Sequence, residues 1–481
     1  MDSPAPDRLR DRLAGARRRL AESRAWRARA VLAVVCLLLL APTVASATAS
    51  DSGTRLGSGA VEAPADNTTY VSVQGFHFKG VGNRKKPARV VAADGDATGE
   101  ELISGVDNEL PVRARWFYDA DPLPNGNLLV TSTNPAGTVV FSYDLETDEV
   151  AWSERFDFTD THDVDRINGD QLLIANMREY EDGVSNDRVL VYDRGNDSVA
   201  WEWTFREHYP NDTDGGFESD WTHVNDVDKV GDGRYLVSPR DFDQVVVIDR
   251  STGDIEYRLG SDGNHSRLFE QHNPDFFVDE SGTPTVLVAD SENDRVVEYA
   301  HRNGSWAEVW SVGGFNWPRD ADRLPNGNTL VTDSLNHRAV EITPEGEIVW
   351  EFYAAWAPYD AERGAPGSNG PSMAAFGAGG SHEVSGGAGT GPASQETFPE
   401  WLRRTTADTP VASLGAEVAA SYSHVTPFLR PVWMSSWALL GVFLLVPLLL
   451  AWGAGEVVYQ RRRLLEAVQG LSSGGSSGER I

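Results

Sequence analysis

Cysteine is almost absent: Cys36 is the only one in 481 residues, and it lies in an apolar run. That excludes an internal disulfide and a cysteine-ligated metal centre. Lysine is nearly as scarce. Lys79, Lys85, Lys86 and Lys229 are the only four, so most of the 42 basic residues are arginine. No basic patch stands in the large central part of the chain, which argues against nucleic acid as a partner. Histidine is sparse too, at 10 residues.

Acid is abundant: 72 Asp and Glu give a formal net charge of -30. Self-repulsion of that size opposes a compact state in ordinary medium. At molar salt the Debye length falls to roughly 3 Å and the repulsion is screened. An acid excess with few lysines therefore reads as halophile surface chemistry.

Two apolar segments flank the acidic bulk. An arginine-rich tail (1–29) precedes the run 30–48, which ends in Ala45-Ser46-Ala47, a small-x-small cleavage pattern. That run is either a membrane anchor or a signal segment. The second, 432–452, is free of charge, carries Trp433, Trp437 and Trp452 near its ends and is followed by Arg461, Arg462 and Arg463. About 20 apolar residues span a bilayer, and positive flanks stay inside. The expectation is a cell-membrane protein in contact with lipid through one or two helices, with a cytoplasmic tail at 453–481. Residues from about 50 to 430 then lie outside the cell. Sequons at Asn67, Asn196, Asn211, Asn264 and Asn303 fall in that exterior stretch, as in a glycoprotein.

Between the segments the sequence repeats itself. Tyr118-Asp-Ala-Asp121, His162-Asp-Val-Asp165, Asn225-Asp-Val-Asp228 and Arg319-Asp-Ala-Asp322 each lead into an Asn-Gly or Asp-Gly type turn and a second strand such as Leu128-Leu-Val130. A divergent copy opens at His272-Asn-Pro-Asp275. A third strand follows, as in Val245-Val-Val-Ile248. A last strand carries Trp152, Trp203, Tyr257, Trp310 or Trp350. Four strands per unit, repeated radially, describe an all-β fold, a β-propeller of four-stranded blades. Tyr70–Gln74 and Arg89–Ala92 supply a fainter further unit; six blades are favoured over five or seven. The propeller is expected over 60–355, with a Gly/Ser-rich linker and a short terminal element over 356–430. Insertions at 179–186, 207–220 and 260–271 are expected on one face, the binding face.

In the X-Asp-Val/Ala-Asp pattern the neighbours stay constant while X varies. The aspartates are expected to accept backbone N–H bonds and fix blade geometry. The varying residues converge on the channel: Tyr118, His162, His272 and Arg319, with His223 two residues before Asn225 and Arg178 and Arg240 after second strands. Imidazole serves as base, acid, nucleophile or ligand, and arginine as a fork of donors for an oxyanion. Arg319 in the ring disfavours a metal there, so neither metal nor cofactor is expected.

The stretches Thr161-His-Asp-Val-Asp165, His223-Val-Asn-Asp-Val-Asp228 and Pro318-Arg-Asp-Ala-Asp322, followed by Asn336-His-Arg338, resemble the arylsulfotransferase family of β-propellers over roughly 110–353, as a haloarchaeal-type, membrane-anchored member. The resemblance implies transfer of a sulfuryl group from an aryl sulfate to a phenol through a histidine intermediate. His272 is the first choice of nucleophile and His223 the second; His162, Arg319 and Tyr118 are implied to handle oxygens and protons. The partner would be a small aryl sulfate or phenol. The chain departs from the family pattern in its membrane segments and in carrying Arg319 in the fifth motif. The rival reading is a non-catalytic propeller of the NHL or pyrroloquinoline-quinone type, in whose style Asn293-Asp-Arg-Val-Val-Glu298 is written, binding a ligand, a glycan or an envelope protein. A hydrolase using the same channel is a third reading, since fold does not fix function.

Overall fold

The protein is described by a computed structural model covering residues 5–48, 56–75, 86–106, 110–217, 220–279, 281–364, 370–387, 397–407, 409–431 and 433–474. Lys79, Lys85, Val432, two residues of the second insertion (218–219) and the 365–369 and 388–395 portions of the Gly/Ser-rich stretch lie outside the described residues. The side chains of residues 5–23 and 462–474, with their arginines, lie outside them too. Two units are distinguished, one formed by 53–396 with 420–428, the other by 1–52, 397–419 and 429–481.

The larger unit is a six-bladed propeller. Its blades are four-stranded antiparallel sheets in which strand order follows the chain, except in blade one; blades five and six each gain a short parallel strand, Gly380–Glu383 and Ser385–Gly386. Blade two is Trp116–Pro122, Asn127–Asn134, Gly137–Asp144 and Glu149–Phe156; blades four, five and six follow the same plan from Val224, His272 and Pro318. Blade three runs from Val164 to Thr204 and carries a small hairpin, Tyr180–Glu181 with Val184–Ser185, in the first expected insertion.

Blade one is assembled differently. Its second to fourth strands are Thr69–Val73, Arg89–Ala93 and Gly99–Ser104, but its innermost strand is Pro358–Arg363, from the far end of the propeller sequence. The N-terminal strand Leu56–Val61 pairs in turn with Glu347–Ala354 of blade six. The ring is thus closed twice, and its last strand lies beyond the expected boundary at 355, in what read as linker.

Repetition explains the packing. Second strands such as Asn127–Asn134 are buried along their whole length because blades press on both faces, whereas the outer strand Glu149–Phe156 alternates. Neighbouring blades are also bolted at both rims. At the outer rim Trp203 Nε1 donates to Gly253 O, Trp310 Nε1 to Pro344 O and Trp350 Nε1 to Gly95 O, each reaching a turn of the next blade. At the inner rim the repeat aspartates accept from the next inner strand: Asp163 from Val227 N (2.7 Å), Asp165 from Lys229 N (3.0 Å), Asp320 from Ala361 N (3.1 Å) and Asp360 from Ala120 N (3.4 Å).

The smaller unit is helical. Ala5–Thr48 and Ser436–Gly474 each contain a stretch long and apolar enough to cross a membrane, Arg24–Thr48 and Ser436–Arg461. They pack on one another, and Arg29 forms a bidentate ion pair with Glu456.

Candidate functional site

The six innermost strands carry one motif in six versions. Five were visible in sequence; the sixth is Tyr359-Asp-Ala-Glu362 on the closing strand. In blades two, four, six and one the pairing with the second strand slips at the variable residue, around Tyr118, Asn225, Arg319 and Tyr359. In blade five the slip lies between His272 and Asp275. A bulge re-aims a side chain that regular alternation would send into the blade interface. His162 stands just ahead of its strand, and His223 precedes its own with φ +39°. Left-handed backbone, rather than simple alternation, turns His223 toward His162.

The result is one buried aromatic and basic cluster. Tyr118 stacks on His162 with centroids 3.7 Å apart; His162 meets His223 edge-on at 5.0 Å. Tyr359 lies at its centre, 5.1 Å from Tyr118, 5.3 Å from His162 and 5.8 Å from His272. The Arg319 guanidinium lies 4.4 Å from the Trp317 ring and 4.7 Å from the Tyr359 ring. All five residues expected from sequence are brought together, each less than a tenth exposed.

The hydrogen bonds assign a tautomer to each histidine. His272 Nδ1 faces Ser291 Oγ (2.8 Å) and Glu270 O (3.2 Å). Ser291 Oγ donates its own proton to Pro318 O (2.6 Å), so Nδ1 is the donor and Nε2 carries the lone pair. Among the described residues Nε2 of His272 makes no hydrogen bond. His223 donates from Nδ1 to Asp220 Oδ2 (2.7 Å), and its Nε2 faces Arg240 Nη1 at 3.4 Å. His162 Nδ1 lies 2.8 Å from Tyr359 Oη, and the Asp160 carboxylate, 3.8 Å from Nε2, favours the tautomer in which Nε2 carries the proton and Nδ1 accepts.

A charged layer backs the histidines. Arg178 grips Asp220 with two bonds (2.8 and 2.6 Å) and reaches Asp160 at 2.8 Å. Burial works against the Asp220 charge, but Arg178 and His223 hold its carboxyl far below the usual range. Burial, reinforced by nearby cations, pushes all three imidazoles down, His223 to about 3. They are neutral at neutral pH. Burial lowers Arg319 to about 10, where it keeps its charge.

Sequence reasoning missed Tyr359, Asp220, Asp160 and Ser291. Tyr359 had a signal, the repeat motif itself, hidden by its place in the presumed linker. Asp220 and Glu270 come from the second and third insertions, which do supply the site. Asp220, His223 and Asp241 bring ligand atoms within 4.8 Å of one another, the geometry of a metal site. Arg178 and Arg240, paired with these carboxylates, oppose a cation there.

Comparison with known proteins follows this geometry. A family model described as Arylsulfotransferase (ASST) matches residues 106–279. No curated protein matches the chain. Among solved structures, a putative 6-phosphogluconolactonase from Bacteroides fragilis is similar at 14% identity and TM-score 0.39, covering 62% of this chain and 98% of that one. Virginiamycin B lyase from Staphylococcus aureus is similar at 9% and 0.37, covering 62% and 89%. A chain of a nidogen/laminin complex is similar at 10% and 0.42, covering 61% and 97%. The chain is a six-bladed propeller, and the part that carries Tyr118, His162, His223 and His272 matches the arylsulfotransferase model; Arg319 and Tyr359 lie past the matched stretch.

Proposed function

We propose that the propeller binds a small aromatic oxyanion in the pocket formed by its six variable residues. The observation that carries this reading is Arg319: a buried cation held between Trp317 and Tyr359, with Nε unpartnered, facing neutral imidazoles. Arginine offers donors to an oxyanion, and the surrounding rings offer stacking surface to an aryl group. The test is calorimetric titration of the whole protein in detergent and high salt with 4-nitrophenyl sulfate. Binding that falls at least tenfold in Arg319→Gln supports the reading; no binding by the folded protein rejects it.

A second, finer reading is favoured by the family match and by the free Nε2 of His272: transfer of the sulfuryl group. In this reading Nε2 attacks sulfur, the S–O bond to the aryl group breaks, and the aryloxide leaves with the electron pair. Arg319 stabilises the charge spread over the sulfuryl oxygens. His223, oriented by Asp220, takes the proton of an incoming phenol, whose oxygen displaces Nε2 from sulfur. The proton then passes to the departed aryloxide, so the cycle balances. Protein incubated with 4-nitrophenyl sulfate should gain one sulfuryl mass on the peptide containing His272 and lose it when phenol is added. Without that adduct in protein that binds the ester, the pocket is a receptor only.

The location belongs to this proposal as well: both apolar helices span the cell membrane, the ends lie inside and the propeller outside. Protease added to intact cells should cut the propeller and spare both tails; the reverse pattern rejects this topology.

A further inference from the structure

Beyond the pocket, the second and fourth positions of the six inner motifs give twelve places, of which only Asn273 is not an acid. Asp119, Asp226, Asp320 and Asp360 are 6%, 6%, 3% and 3% exposed. These acids lie in one shared space. Asp226 of blade four feels Asp163 and Asp165 of blade three and Asp320 of blade six; Asp121 feels Glu362, Asp165 and Asp360. They form an acidic tunnel along the propeller axis.

Five of these eleven carboxylates, Asp119, Asp163, Asp165, Asp320 and Asp360, accept from a backbone N–H or a hydroxyl. Thr131 donates to Asp119 and Thr332 to Asp320, each from the place opposite on the second strand. In blade four that place is Ser238, whose hydroxyl instead receives Gln271 Nε2. Asp226 Oδ2 is left buried with no hydrogen bond, as is Asp322 Oδ2 of blade six. A buried, bare carboxylate oxygen costs free energy unless something satisfies it. Nearby cations are committed elsewhere: Lys229 donates to Asn168, and Arg323 pairs with Glu298. Burial, then Asp228 and the facing Asp163, Asp165 and Asp320, push the Asp226 carboxyl well above the usual range, so a cation bound there displaces a proton.

We propose that the tunnel holds a divalent cation, bound at Asp226 Oδ2 and facing Asp163, Asp165 and Asp320. Three direct carboxylate ligands on one ion would stand within roughly 5 Å of one another. Among the described residues no three tunnel oxygens meet that spacing. The ion therefore keeps part of its water shell and touches one or two carboxylates, which is the habit of magnesium. The proposal is independent of the ligand assigned to the pocket. The ion would offset the negative charge of the eleven inner-strand acids.

The test uses the full chain in detergent, stripped with chelator, at constant ionic strength set by NaCl. Titration with MgCl2 and with CaCl2 is followed by calorimetry and by the thermal midpoint. Saturable binding with a midpoint rise of several degrees is expected. Asp226→Asn should weaken it at least tenfold, and Asn273→Asp, which adds the twelfth acid, should tighten it. Absence of saturable binding by either ion in folded protein overturns the proposal. So does binding that survives Asp226→Asn and disappears in Asp241→Asn, since the ion would then sit with Asp220 and His223. If Asp226→Asn does not fold, Asn273→Asp decides alone: unchanged affinity there overturns the proposal.

Discussion

The hydroxyl of Tyr359 lies 2.8 Å from Nδ1 of His162, joining the last inner strand of the propeller to the blade two places along the ring. The bond fixes the His162 tautomer and ties the ring's closure to the geometry of its pocket.

Tyr359→Phe removes that bond and keeps the ring. One buried hydrogen bond contributes about 1 kcal/mol to stability. The thermal midpoint should fall by a few degrees, and calorimetry with 4-nitrophenyl sulfate should show weaker binding as His162 loses its anchor. A loss of folding instead would make Tyr359 a structural residue first.

His223 gives a pH signature. Its folded-state value is lowered to about 3, by burial and by Arg240. The unfolded chain therefore binds the proton first, and the stability this group contributes is present above about 6.5 and lost as pH falls toward 3. Between pH 7 and pH 4.5 the wild type should lose about 2 kcal/mol more than His223→Gln. Denaturant unfolding at the two pH values measures the difference. Equal losses would place the imidazole in a solvated setting.

Trp350 closes the outer rim, as its indole donates to Gly95 O of blade one and its ring is wholly buried. Trp350→Phe should cost about 1 kcal/mol for the bond, and Trp350→Ala about 3–5 kcal/mol for the cavity as well. The midpoint of guanidinium unfolding reports both. A neutral Trp350→Ala would mean that the N-terminal strand and the Asp320–Ala361 bond suffice to keep blades six and one together.

The net charge of -30 predicts salt dependence. Raising KCl from about 0.1 M to 2 M shortens the Debye length below about 3 Å, so the thermal midpoint should climb steeply and level off. Choline chloride should act like KCl if screening is the cause. A flat response would remove the halophile reading of the composition.

The fold was legible because its signal is periodic. The Asp-x-Asp pairs, Asn-Gly turns and terminal tryptophans recur wherever a blade recurs. Aspartates take backbone N–H groups of the next inner strand, and tryptophans reach the next blade's turns, so the same residue type meets the same need at several blade junctions. The pocket was legible where a variable residue stood in a constant frame, as with Tyr118, His162, His272 and Arg319. Tyr359 sat in the same frame, Asp-Ala-Glu, but next to a Gly-rich stretch that drew the boundary too early. Asp220 carries no pattern, and the one around Ser291, Asp290-Ser-Glu-Asn-Asp-Arg295 against Asp333-Ser-Leu-Asn-His-Arg338, went unread. They reach the pocket through an insertion and a turn whose paths depend on tertiary packing. The two rings of acids were read one blade at a time, so their shared space was invisible until the six strands met.

Because the innermost strand of the first blade is the last to be made, the pocket has an order of assembly. A ribosome that has produced everything through Ala355 has made five of the six walls and most of the histidines, yet neither Tyr359 nor Asp360 exists. His162 then has no hydroxyl on Nδ1, Ala120 has no carboxylate on its amide, and Arg319 has lost one of its two rings. A chain that stops at Ala355 therefore lacks both the innermost strand of blade one and the sixth wall of the pocket.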